Sequence, residues 1–155
     1  MQAVDIRAQL LGGGIAAATD LRGCTQREID DLERRVGAPL PGAYQQFLAA
    51  IGHQAGAFLR GTDVSYGQAR GLTDAAKALL AEDAALHNLP EDAFVFYMHQ
   101  GYEFGYFRLG AGEDPPVYQY VEGRGRPRVA WPSFTAYLVD AMEGHRQALR
   151  RHSQD

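Results

Sequence analysis

Ile29, Leu32 and Val36 recur at the three-and-four spacing that puts apolar side chains on one face of a helix, with Asp30, Asp31, Glu33, Arg34 and Arg35 between them. Thr25 and Glu28 stand just ahead in the order of a capping box: the hydroxyl accepts from the N3 amide, and the carboxylate reaches back to the Thr25 amide. Gly37 ends that helix. Pro41 opens a second, since the amide hydrogen that proline lacks has no partner at a first helical position. Its apolar face is Tyr44, Phe47, Leu48 and Ile51, and Gly52 caps it. Upstream, Ala3 to Leu11 predicts a short helix stopped by Gly12-Gly13-Gly14. The stretch from His53 to Gly71 is glycine-rich and weakly patterned, with a short strand expected near Val64. Thr73 predicts the cap of a third helix running to about His87, with Ala76, Leu79 and Leu80 inward. Leu89-Pro90 stops it, because proline disfavours helical geometry in the residue before it.

The pattern then changes period. Nine of the sixteen aromatic residues fall between Phe94 and Tyr120, which marks this stretch as strand-forming. Ala93 to Met98 reads as a strand apolar on both faces, Gln100-Gly101 as a turn, and Tyr102 to Leu109 as the returning strand. Gly110 to Pro116 is a loop, and Val117 to Val121 a third strand of an antiparallel meander. Pro132-Ser133 opens a last helix whose stripe is Phe134, Tyr137, Leu138, Ala141, Met142 and Leu149. Helices, then strands, then a helix predict an α+β fold: an antiparallel sheet of about four to six strands with helices packed on it. Phe94, Phe96, Phe104, Phe107, Trp131 and Phe134 are the expected core aromatics.

A chain of 155 residues suits one domain. The expected division is an N-terminal extension over 1–24, a domain over 25–150 and a frayed end over 151–155. Cys24 is the only cysteine, so no internal disulfide is available. The longest weakly polar run, Leu10 to Ala18, falls far short of the roughly 20 residues a bilayer span needs. Asp5 offsets Arg7, so no basic region leads it, and the expected location is the cytoplasm.

Charge is distributed unevenly. Residues 1–81 balance at eight acids and eight bases, whereas 82–122 hold eight acids against Arg108 alone. Residues 123–155 hold six arginines against Asp140, Glu143 and Asp155. The net charge of −4 disfavours a general nucleic-acid binder. Arg124-Gly125-Arg126-Pro127-Arg128 resembles an AT-hook core, but it is a single copy between a strand and a helix. It is read as a solvated loop whose arginines are available to the chain's own acids.

No catalytic signature emerges. Gly12-Gly13-Gly14 lacks the strand and Lys-Ser/Thr of a phosphate loop. His99 and Glu103 flank a tight turn without a further ligand in a zinc spacing, and Cys24 has no histidine partner in sequence. The expectation is no catalytic residue, no metal and no cofactor. The acidic aromatic stretch serves equally as a charged sheet edge that resists aggregation or as a surface for a basic partner.

Ile29-x-x-Leu32-Glu33-Arg34-Arg35-Val36-Gly37 followed by Leu40-Pro41-x-x-Tyr44-x-x-Phe47-Leu48 resembles the opening of the SUKH superfamily, in its branch similar to the fungal cell-wall-assembly regulator. Leu89-Pro90 with Phe94-Val95-Phe96, then His99 to Phe104, Val117 to Tyr120 and Ser133-Phe134-x-x-Tyr137-Leu138, fit the later elements of that family. The resemblance runs from about Thr25 to Met142. It departs where the family commonly places Asn-Gly and this chain has Ile51-Gly52, and residues 1–24 have no clear counterpart. It implies a non-catalytic immunity protein that neutralises a cognate bacterial toxin, or a regulatory interaction module; DNA binding through Arg124–Arg128 is the remaining alternative. The expected partner is a protein, with no nucleic acid or membrane, and a monomer is favoured. The expected contact residues are Tyr102, Glu103, Tyr106, Glu113, Asp114, Tyr118, Tyr120 and Glu122, with aromatics as anchors and carboxylates for steering. Strand alternation puts Tyr102 and Tyr106 on one face, and Tyr118 with Tyr120 on one face of the next strand.

Overall fold

The computed structural model describes residues 5–82 and 88–153. Helix α1 (Ile6–Gly12) leads into a 3-10 turn (Ala18–Asp20) and strand β1 (Leu21–Arg22). Helices α2 (Gln26–Val36) and α3 (Gly42–Ile51) follow, then two short strands, β2 (Gln54–Ala55) and β3 (Thr62–Asp63). Helix α4 (Ala69–Glu82) precedes β4 (Ala93–His99), β5 (Glu103–Arg108), β6 (Val117–Val121) and β7 (Arg128–Trp131), and α5 (Phe134–His152) closes the chain.

Local chemistry fixes the helix starts. Thr25 Oγ1 accepts the Glu28 amide at 3.2 Å while Glu28 Oε1 accepts the Thr25 amide at 3.0 Å, so the capping box forms as read. Gly37, at φ 79°, supplies the left-handed residue that ends α2. Pro41 takes the N-cap of α3 rather than its first helical position. α4 begins at Ala69, four residues before the expected cap, and Thr73 lies inside it. The reason is Gln68, whose side-chain oxygen takes the amides of Val64 and Ser65 and builds the turn that starts the helix earlier. The expected end near His87 lies outside the described residues. α1 is shifted against the Ala3–Leu11 expectation, because Asp5 caps it through the Ala8 amide at 3.0 Å.

The sheet is five-stranded and antiparallel throughout, in the order β3-β4-β5-β6-β7, so each strand pairs with its neighbours in sequence. β1 and β2 form a separate two-stranded ribbon. Two corrections follow. The strand expected near Val64 is Thr62–Asp63, and the segment expected as an arginine loop ends in a strand, with Arg128 opposite Gln119. β4 carries a bulge between Val95 and Tyr97. That extra residue puts both Phe96 and Tyr97 into the core on one side, while Val95 and Met98 face the other.

Helices cover both faces. The larger core joins α1, α2, α3 and α5 to one face through Ile6, Leu10, Ile29, Leu32, Tyr44, Phe47, Phe96, Phe107, Phe134 and Leu138. The smaller core sets Leu72, Ala76, Leu79 and Leu80 of α4 against Val95, Met98, Phe104, Tyr106 and Tyr120. Ile15 and Leu21, ahead of Thr25, also belong to the larger core. Of the expected core aromatics, Phe94, Phe96, Phe104, Phe107 and Phe134 are buried; Trp131 is half-buried and packs against the core edge.

Tyr44 is wholly buried among Phe47, Phe94, Phe96, Phe107 and Phe134, with ring centroids 5.2–6.4 Å away. Its hydroxyl has no hydrogen-bond partner among the described residues, and burial pushes its pKa upward. An unpaired buried hydroxyl costs about 1–3 kcal/mol of desolvation. Tyr44→Phe is therefore expected to stabilise the protein by about 1 kcal/mol, read as a higher denaturant midpoint at unchanged slope; a lower midpoint would show that the hydroxyl is satisfied.

Candidate partner-binding site

The expected contact residues divide among three places. Tyr106 and Tyr120 are buried, 5% and 1% exposed, in the core beneath α4. Strand alternation places Tyr118 and Tyr120 on the same face as Tyr106, and that face points inward. Tyr118 is half-buried, stacked on Tyr106 at 4.9 Å and 6°. Glu113 and Asp114 lie in the β5–β6 loop and serve the fold. Glu113 Oε2 accepts the Gly42 amide at 2.9 Å, and Asp114 Oδ1 accepts the Thr135 amide at 2.9 Å. The two acids thus satisfy orphan donors at the starts of α3 and α5. Tyr102, Glu103 and Glu122 remain, and they sit together at the opposite end of the sheet.

The β4–β5 hairpin builds that end. Gln100 and Gly101 both have positive φ, 49° and 79°, the pair of left-handed residues a type I′ turn requires. Tyr102 follows the turn, 41% exposed, with its ring edge-on to His99 at 5.7 Å. The Glu122 amide bonds the Tyr102 carbonyl at 2.9 Å, which brings that exposed carboxylate alongside. Glu103 lies one residue deeper. Tyr97 Oη donates to Glu103 Oε2 at 2.7 Å, and Gln119 Nε2 donates to the same oxygen at 3.1 Å.

Tyr97, His99, Tyr102, Glu103 and Gln119 line a cleft of about 280 Å³ between the sheet and α5. Its near wall is His99, held by Thr62 Oγ1 at 2.9 Å rather than by backbone. Its far wall is Trp131, whose indole N–H donates to Asp140 Oδ2 at 3.0 Å and whose ring meets Tyr137 edge-on. Burial, then the bond to Glu103, pushes the Tyr97 pKa upward; burial and the nearby Glu103 charge do the same to Tyr137. Tyr97 keeps its proton and donates it in the hydrogen bond to Glu103.

The acids have basic neighbours. The β6–β7 hairpin rises at the same end of the sheet, with Arg124, Arg126 and Arg128 exposed. None of the three makes an ion pair among the described residues. Of the cleft's lining, sequence reasoning names Tyr102 and Glu103 as contact residues but not Tyr97, Gln119, Trp131 or Asp140. Only Gln119, a lone polar residue in an aromatic strand, offered a signal.

A five-stranded meander between two helical layers, with an open polar cleft at one end, defines a small α+β domain of one architectural class. Residues 23–140 match the SMI1/KNR4 family (SUKH-1), and the chain belongs to that family. The membership puts it among immunity-like or regulatory proteins. No curated protein matches the sequence closely enough to count as a relative. Among the described residues no helix is long and apolar enough to cross a membrane.

Proposed function

We propose that this chain is a non-catalytic immunity protein that binds and neutralises a cognate bacterial toxin domain, with the sheet end around Tyr102, Glu103 and Glu122 as its contact surface. One observation carries the reading: a large exposed tyrosine, braced on His99, lines a cleft with the hydrogen-bonded Glu103, and the exposed Glu122 is tied by its amide to that tyrosine's carbonyl. Such an aromatic anchor immobilises few rotors on binding, and rigid neighbours lower the ordering cost further. The acids suit a basic group entering the cleft. The three arginines alongside call for a partner with an acidic patch next to it, so the epitope is one of mixed charge. Family membership supports a binding role.

The test is Tyr102→Ala combined with Glu122→Arg, assayed against the toxin domain that the unaltered chain captures when co-expressed with the product of its neighbouring gene. Central anchors contribute about 2 kcal/mol or more, so affinity is expected to fall at least about 30-fold, with loss of protection in co-expression. Glu113→Gln, at the far end of the sheet, is expected to leave affinity unchanged. Full protection by a folded double variant would place the contact surface elsewhere.

A further inference from the structure

The β1–β2 ribbon aligns more than its own strands. Leu21 faces Ala55 and Arg22 faces Gln54, and the next amides continue the pattern: His53 N–H bonds the Arg22 carbonyl at 2.9 Å, and Cys24 N–H bonds the Leu48 carbonyl at 2.8 Å. This brings Cys24 beside His53, which sequence alone did not show. Glu28, the capping carboxylate of α2, lies against both. Its Oε2 is 2.8 Å from His53 Nε2, and one ligand atom from each of the three residues lies within 4.8 Å of the others.

We propose that Cys24, Glu28 and His53 form a binding site for a divalent transition-metal cation of the zinc type, its fourth position open to water or to a donor from a partner. Thiolate, imidazole and carboxylate are the donors such an ion takes, and three protein ligands with one open position is a recurrent arrangement. Around a tetrahedral zinc, sulfur and nitrogen stand about 3.5 Å apart, so small side-chain rotations from the present spacing suffice. The outer shell is in place. Glu28 Oε1 is held by the Thr25 amide, so Oε2, the oxygen bonded to His53, is the one turned toward the site. Tyr66 packs edge-on against the His53 ring at 5.4 Å and donates its hydroxyl to the Glu28 carbonyl at 3.2 Å. Such partners fix ligand orientation. His53 also lines an open groove of about 610 Å³ with Asp20 and Arg60, so this ligand of the three is reached from solvent.

The same three residue types could be taken for a cysteine nucleophile with its base and orienting acid. The thiol is set against that: burial first, then the Glu28 charge, pushes its pKa up to about 11, opposite to what a nucleophilic cysteine needs. On binding, the cation displaces the thiol proton to solvent and takes the place of the hydrogen between His53 Nε2 and Glu28 Oε2, the neutral ring then carrying its proton on Nδ1.

The full chain, reduced and stripped with a chelator, is titrated with Zn²⁺ alone and with Co²⁺ alone. One equivalent of Zn²⁺ is expected to bind, and zinc at a hundredfold excess over Kd is expected to raise the melting temperature by roughly 5–10 °C. Co²⁺ is expected to give a thiolate charge-transfer band in the near ultraviolet. Cys24→Ser and His53→Gln are each expected to weaken Zn²⁺ binding by more than the roughly 10–100-fold that loss of a hydrogen-bond partner of a ligand costs, while His152→Gln, at the exposed end of α5, leaves it unchanged. The cobalt spectrum of the unaltered chain decides the matter even where a variant fails to fold. Absence of that band, or zinc uptake undiminished in both folded variants, overturns the site.

Discussion

Phe96→Ala is expected to destabilise the protein by about 3–5 kcal/mol and to lower its melting temperature by roughly 10 °C. Phe96 is fully buried, with Tyr97, Phe107, Phe134 and Tyr137 at centroid distances of 5.0–5.6 Å and Tyr44 a little beyond. These rings come from α3, α5 and two strands, so no single element can collapse into the space that the lost ring leaves. Burial of the ring supplies one part of the cost and the unfilled cavity the other. Phe96→Leu, which keeps most of the volume, is expected to lose much less. Urea unfolding of both variants at matched slope checks the pair; a loss under about 1 kcal/mol for the alanine variant would mean that the bulged strand repacks.

The second large effect falls on a residue with no side chain. Gly23 passes so close to α3 that a Cβ placed on it would stand 1.7 Å from the Ala49 carbonyl oxygen and 2.5 Å from its carbon. Both are backbone atoms, and rotation of a side chain cannot clear them. Gly23→Ala must therefore lift the β1–β2 ribbon off the helix, breaking the Cys24-to-Leu48 amide bond and exposing Leu21. The expected cost is about 3 kcal/mol, the upper end for overpacking. Because the ribbon sets Cys24 against His53, the same variant is expected to bind zinc poorly. Thermal unfolding with and without Zn²⁺ measures both, and a melting temperature within 2 °C of the parent, where about 3 kcal/mol shifts it by at least 6 °C, would rule out the close approach.

Much of the fold was legible because its determinants are local. Thr25 and Glu28 cap α2 within one turn, and the apolar spacings of α3 and α5 need only the helical period to be read. β7 was not legible. Arg128, Val129 and Ala130 are all exposed, so no alternation marks them, and the strand exists because β6 offers a free edge. The start of α4 escaped notice because a glutamine side chain, outside any standard capping pattern, collects the amides before it. The candidate site was half legible for a similar reason. Period-two reading puts Tyr97 on the face of Val95, and the bulge at Phe96 turns it to Glu103 instead. Glu113 and Asp114 read as surface acids, since nothing in sequence shows that helix starts at Gly42 and Phe134 await them. Cys24 and His53 met only through the pairing of a ribbon too short to announce itself.

The docking of Tyr44 on Phe94, Phe107 and Phe134 has a consequence for how the chain is made. The covering rings are synthesised 50 to 90 residues after the helix they cover. At about 5–20 residues per second, the oily side of α3 leaves the ribosome on the order of 10 s before its cover. For that interval the nascent chain presents to the cell an unsheltered greasy stripe, which a chaperone must shield or the ribosome surface must hold.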